Sequence, residues 1–510
     1  MNNCIIIKKP EIIRMPNKLV RLCADIIEPN REVFHSFIEV EEQYSCYLTP
    51  ERADYLLFLV FPVAIRTGYD IICEAPVSEE LLHNIRELLI PLYLAGDKNS
   101  KNFTITAEVA CEKIGGEAVG TAVSCGVDSS FTIMEYTNEK YHNLKLSHLF
   151  IGSINAELWD FDENNDNLLT WESKHPNAFK RYNKVSEMTG LPLIKMFTNI
   201  IWYLCKRDWN VYHHLYVHHY ITLSAVLSLR KLWKVYFFSS TEDFTKFTLE
   251  NVLKSDPAFH ELLIMHILSL SDFTCYSGGA CTNRIEKTLK IADWDVARKT
   301  LHPCHKQGEK NCTSPWCPKC MRALFTYDYY DKLDLMTEVF DIERYKRDKK
   351  TFFWWLARNR KDHFCAPLYD MMCEKYPIDM NNATESYEKW AKPIPREDFD
   401  NLNEVYKMSL LLLKAPNPSH LILQFFKEKN INKLYCSGFS NIGNTIISML
   451  NNEIYCVNYK NSKVIDCDAV FILSTKRSDI ELIKKRLKTN KNIYTCFDIY
   501  KYVNCVIQEQ

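Results

Sequence analysis

The chain has 510 residues, 47% apolar and 25% charged, and a formal net charge of −1. Such a length exceeds one ordinary core and predicts roughly two to four domains, while the balanced composition excludes long disorder and disfavours a nucleic-acid partner, which would call for a basic tract. The apolar Ile5–Ile7 precedes the first lysine pair, the reverse of a secretory signal, and no apolar stretch reaches the roughly 18 residues of a membrane span, so a cytoplasmic chain with no membrane partner is expected.

Residues 1–112 read as an N-terminal α+β domain. Arg52–Thr67 is apolar at helical spacing, and Tyr69–Ala75 has the texture of a short strand. Ser78 opens a helix to Leu94, and Asn102–Cys111 alternates as a half-buried strand does. From residue 113 to 325 strands and helices alternate. The strands are Ala118–Ser124, Leu144–Ile151, Leu191–Phe197 and Lys234–Ser240, with helices at Ser129–Thr137 and Tyr212–Trp233. That order predicts a parallel sheet with crossovers. Residues 258–300 read as helix and loop, and 326–415 as a helical segment. Lys414–Ser419 carries two prolines and marks a boundary. Beyond it, 416–510 alternates strands at Lys433–Ser437, Glu453–Asn458 and Ala469–Ser474 with helices at 444–451 and 478–488.

The densest motif is Val123-Ser124-Cys125-Gly126-Val127-Asp128-Ser129-Ser130, where a small-residue strand meets a helix. A helix's first turn has unpaired N–H groups and a positive partial charge, which together suit a multiply charged anion. The hydroxyls of Ser124, Ser129 and Ser130 add donors. Asp128 within an anion cradle predicts an intervening Mg²⁺. A helix start merely capped by Ser or Asp is the plainer alternative.

Ser124, Gly126, Asp128 and Ser129 resemble the SGGxDS signature of the PP-loop ATP pyrophosphatases, with Cys125 in place of the first glycine. The resemblance implies ATP bound by Ser124, Cys125, Gly126, Val127, Asp128, Ser129 and Ser130, and cleaved to AMP and pyrophosphate. There is no intact Walker A lysine motif, which disfavours γ-phosphate transfer.

Of the twenty cysteines, Cys304, Cys312, Cys317 and Cys320 form C-x7-C-x4-C-x2-C. In a reducing compartment four thiolates so close together suit a structural, tetrahedral Zn²⁺, with His302 and His305 as alternative ligands and an iron–sulfur cluster as the weaker option. A PP-loop followed by a four-cysteine segment is similar to the 7-cyano-7-deazaguanine synthase family over roughly residues 115–325. That similarity implies adenylation of a carboxylate, attack by ammonia, and a second adenylation that drives dehydration to a nitrile.

Further candidates are weaker. Arg284 and Lys287 share a helix face and could meet the pyrophosphate leaving group, or form a solvated face with Glu286. Ser153 and Ser240 end strands where open α/β sheets bind ligands, and Lys195 and Thr198 follow another strand. His213, His214, His218 and His219 lie at helical spacing but without a neighbouring acid, so they read as a helix face rather than a metal site. Gly438–Gly443 nearly matches G-x-G-x-x-G, but with Ser440 at the middle glycine, and Asn458 stands where a ribose-binding acid belongs.

The expected fold is α/β, with a central parallel-sheet PP-loop (HUP-like) domain, a zinc-stapled segment, an N-terminal α+β domain and a C-terminal degenerate Rossmann-like domain. The expected activity is ATP-dependent ligation that activates a carboxylate or amide oxygen of a small molecule or peptide for attack by ammonia or an amine. Asp128, Ser129 and Lys287 are the catalytic candidates. ATP, Mg²⁺ and Zn²⁺ are the expected cofactors, and a homodimer is compatible with this organisation. A sulfur-transferring enzyme, using Cys125 or Cys275 as carrier, and a non-catalytic nucleotide-binding recognition protein are the alternatives.

Overall fold

Buried and half-buried residues alternate along Leu19–Ile27, the period of two that a strand with one packed face requires. In a computed structural model this stretch is the third strand of a long sheet. The structure describes residues 3–138, 140, 142–154, 161–208, 211–391, 405–413, 415, 417–438, 440–450, 453–458, 467–475, 477–487 and 489–509. It divides into two compact units, Met1–Tyr387 and Glu388–Gln510.

In the first unit the strands are β1 (Cys4–Ile7), β2 (Glu11–Met15), β3 (Leu19–Ile27), β4 (Val33–Glu41), β5 (Asp70–Cys73), β6 (Val77–Ser78), β7 (Ile105–Thr106), β8 (Val109–Ala110), β9 (Ala118–Ala122), β10 (His148–Gly152), β11 (Leu193–Thr198), β12 (Trp233–Ser239) and β13 (Thr274–Gly278). Eleven of them form one sheet in the order β13-β12-β9-β10-β11-β4-β3-β1-β5-β7, with β2 added on β3, while β6 and β8 pair separately. The five strands from β13 to β11 are all parallel. Counted from β9, their order is 5-4-1-2-3. Strand order therefore reverses between β9 and β12, the switch point beside which doubly wound sheets bind ligands.

The N-terminal region is not a separate domain. β4 pairs antiparallel with β11, Ile38 opposite Thr198. One apolar cluster also runs from Ile5 through the helix α1 (Asp54–Thr67) to Cys275. Arg230, buried, links Asp54 of α1 (3.0 Å) to Asp272 just ahead of β13, and Asp272 in turn accepts from the Ile114 and Gly115 amides at 2.7 Å. Residues 1–51 thus contribute four strands where sequence spacing suggested none, and β13 occupies part of the stretch read as helix and loop.

Five further helices of this unit position the site: α2 (Val127–Thr137), α3 (His214–Leu227), α4 (Arg284–Ile291), α5 (Pro318–Tyr329) and α6 (Ile342–Arg358). α3 is apolar nearly all round because it is enclosed. Tyr220 packs on Phe58 and Phe61 of α1, with ring centroids 4.8 and 5.7 Å apart. α5 and α6 share an apolar cluster with Val127 and Phe131 that extends to Ala383. The expected 326–415 helical segment is therefore largely part of the first unit, and the division falls at Tyr387–Glu388 rather than at 415–416. Of the expected boundary Lys414–Ser419, residues 414 and 416 lie outside the described residues.

The second unit has four parallel strands, β14 (Lys433–Ser437), β15 (Tyr455–Asn458), β16 (Ala469–Ile472) and β17 (Asn492–Thr495), in the order β15-β14-β16-β17. Its helix α7 (Asn441–Met449) follows β14 directly. No helix among the described residues is long and apolar enough to cross a membrane.

Candidate functional site

β9 ends at the switch point, and the chain turns through Val123–Gly126 into α2. Ser124 Oγ and Ser129 Oγ lie 2.9 Å apart, and Ser124 Oγ accepts from the Gly126 amide at 3.3 Å, so the two hydroxyls brace the bend. Gly126, the N-cap of α2, makes no side-chain capping bond, which leaves the first helical N–H groups without an internal partner. A side chain at Gly126 would touch only Ser124 Oγ. The left-handed residue is Cys125, at φ +55, where the resembled signature carries glycine. Its thiol is buried, and its carbonyl accepts from the His302 amide at 2.7 Å. The turn is thereby tied to the cysteine segment.

The turn opens on a cavity of about 580 Å³, fronted by Ser124, Gly126, Val127 and Asp128. Its other walls come from α3, the end of β12, α4, α5 and the Asp362–Phe364 turn after α6. The cations Arg284, Lys319 and Arg322 also line it, together with the carboxylates Glu242, Asp256 and Asp362. Arg284 Nη2 is 2.9 Å from Asp128 Oδ2. Lys287 stands behind, fully buried. It donates to the Ser240 carbonyl at 2.7 Å and lies 3.6 Å from Asp128 Oδ1. Burial lowers its pKa, against the pull of Asp128. Arg284 thus holds the cavity position that sequence spacing gave to both, and Lys287 acts on Asp128. Asp128 Oδ1 is buried with no hydrogen bond among the described residues, the Lys287 ammonium being its neighbour at 3.6 Å, and a carboxylate oxygen is the donor type a hard cation such as Mg²⁺ takes.

Several expected contacts lie elsewhere. Cys125, Ser129 and Ser130 are buried beneath the turn rather than facing the cavity. Ser153 is fully buried and does not line it either: its hydroxyl donates to the Thr198 carbonyl and accepts from the Thr198 amide, both at 2.8 Å, stitching β10 to β11. Lys195 pairs with Glu172 at 2.6 Å, and the Ser240 hydroxyl donates to the Glu242 carbonyl.

The helical region after α5 adds residues that sequence spacing did not mark. His363 Nε2 is 3.0 Å from Glu242 Oε1. Burial raises the Glu242 pKa, and His363 opposes that rise. The Phe364 ring lies 4.5 Å from the Arg322 guanidinium and 5.8 Å from that of Arg284, which orients both cations. Lys319 and Arg322, three apart at the start of α5, carried a readable signal; Asp362–Phe364 carried none.

The four cysteines converge. Cys312 and Cys320 sulfurs are 3.7 Å apart, Cys304 and Cys317 are 4.0 Å apart, and all four lie within 4.8 Å of one another. Thiolates at 2.3 Å around a tetrahedral ion would be about 3.8 Å apart, so the set could hold a metal such as zinc. His302 and His305 line the cavity instead. No protein-family model, curated protein or solved structure matches the chain.

Proposed function

We propose that the chain is an ATP-dependent adenylating enzyme of the PP-loop ATP pyrophosphatase type, divergent from the 7-cyano-7-deazaguanine synthase family. One observation carries this: a strand–turn–helix with an uncapped helix start, at the point of strand-order reversal, faces a cavity that Arg284, Lys319 and Arg322 also line, Arg284 directly against Asp128 of the turn. The Ser124–Asp128 turn would bind the β- and γ-phosphates of ATP through backbone amides. Asp128 would hold Mg²⁺, which supplies charge neutralisation between the phosphates. A substrate carboxylate or amide oxygen attacks the α-phosphorus as the α–β bridging bond breaks. Pyrophosphate leaves toward the guanidinium groups, which offset its growing charge. Ammonia or an amine then adds to the activated carbon and displaces AMP, giving an amide, or a nitrile after a second round.

The sulfur-transfer alternative is less well supported. It needs an accessible carrier thiol near the turn, whereas Cys125 and Cys275 are both buried, and burial drives the Cys275 thiol pKa upward. Pyrophosphate release from ATP and Mg²⁺ across a panel of carboxylic acids, with ammonia, tests the proposal. Turnover that depends on an acid supports it. ATP binding with no pyrophosphate from any acid would favour the recognition protein.

A further inference from the structure

His218 and His219 lie on α3, and the acid missing from their sequence neighbourhood arrives from the loop before Pro257. One donor atom from each of His218, His219 and Asp256 lies within 4.8 Å of the other two. His218 Nε2 and Asp256 Oδ1 are 3.8 Å apart, too far for a hydrogen bond and a few tenths of an ångström wider than the roughly 3.4 Å between nitrogen and oxygen ligands at about 2.1 Å around one tetrahedral ion. Asp256 Oδ1 also accepts from the Ala258 amide at 3.0 Å, which fixes the carboxylate.

His219 supplies the second, independent sign. It is fully buried, its ring stacks on Phe238 with centroids 4.3 Å apart, and its Nε2 is 3.2 Å from Glu261 Oε2. Its Nδ1 is buried with no hydrogen-bond partner. One ring nitrogen held by a carboxylate and the other left bare is the arrangement of a metal-bound imidazole, in which the outer carboxylate fixes tautomer and orientation. Nothing among the described residues satisfies that inner nitrogen.

We propose that His218, His219 and Asp256 bind a divalent transition-metal ion of the zinc class, with an open coordination position facing the cavity. Two imidazoles and a carboxylate suit Zn²⁺ and its neighbours rather than Mg²⁺ or Ca²⁺. Three protein ligands leave a fourth position, and His218 and Asp256 both line the cavity, so that position takes water or a substrate oxygen or nitrogen. The four-cysteine set, by contrast, fills a tetrahedron completely. The site stands whether or not the chain cleaves ATP.

Cobalt titration of the metal-stripped full chain separates the two sites. Two Co²⁺ per chain are expected: one with an intense sulfur-to-cobalt charge-transfer band, the other with only the weak visible bands of nitrogen and oxygen ligation. His218→Ala combined with Asp256→Asn should lose the second equivalent and keep the charge-transfer band, which itself reports that the neighbouring region has folded. A wild-type chain that takes one Co²⁺, all of it thiolate-bound, would overturn the proposal. So would a double variant that still binds two.

Discussion

The two units each contain a turn from a parallel strand into a helix, built on the same frame and finished in opposite ways. In the first unit the turn after β9 leaves α2 uncapped, facing a cavity that three cationic side chains line. In the second, Ser440 caps α7: its hydroxyl accepts from the Gly443 amide at 2.9 Å and donates to the Leu473 carbonyl. Gly438 takes the left-handed bend at φ +90, and a side chain at Gly443 would meet the Leu473 oxygen at 2.5 Å. The glycines that shape a dinucleotide turn are thus present, but a serine occupies the place where phosphate would approach. Phe439 of this turn lies outside the described residues. A glycine pattern records how closely backbone elements approach, whereas the residue at the helix start decides whether an anion can enter.

The hardest test of this contrast is to remove the support beneath the first turn. Cys320→Ser should cost about 4 kcal/mol or more, the range for losing a structural metal. Denaturant unfolding reads that cost, and nucleotide binding should weaken with it, since the His302 amide joins the cysteine segment to the Cys125 carbonyl. Next, Arg284→Ala should lower pyrophosphate release about 100-fold, as loss of one preorganised charge donor does, with unfolding little changed. An unaltered rate would remove the cationic wall from the mechanism. Third, Cys125→Val places a β-branched residue at φ +55 and should destabilise by about 2 kcal/mol, whereas Cys125→Gly should stay within about 1 kcal/mol of wild type. The pair, compared by thermal melting, separates backbone strain from lost thiol packing. Smallest is Ser440→Ala, which should cost the second unit about 1 kcal/mol and leave pyrophosphate release unchanged. A matching loss of turnover would mean that the two turns are not independent.

What sequence revealed about the fold and the site follows chain distance. The Ser124–Ser130 turn and the four cysteines are short, contiguous patterns whose geometry is set locally, so each could be read from spacing. The alternation of strand and helix gave the parallel sheet for the same reason. The joining of β4 to β11 could not be read, because both strands look ordinary and only their pairing makes one sheet. Nor could Asp256 and Glu261 be matched to His218 and His219, or Phe364 to Arg322, since each contact depends on tertiary packing between separate helices and loops. Ser153 differs from expectation for a related reason: it does follow a strand, but its hydroxyl bonds the adjacent strand and it does not line the cavity.

The antiparallel junction between Ile38 and Thr198 also sets a schedule for synthesis. Roughly 160 residues must emerge after β4 before its partner β11 exists, which at ribosomal rates is a wait on the order of 10 s. Through that interval the nascent chain carries an unpaired strand edge, open to pairing with other chains. Slower translation upstream of β11 should therefore raise the aggregated fraction, and a chain truncated before residue 198 should fail to stay dispersed.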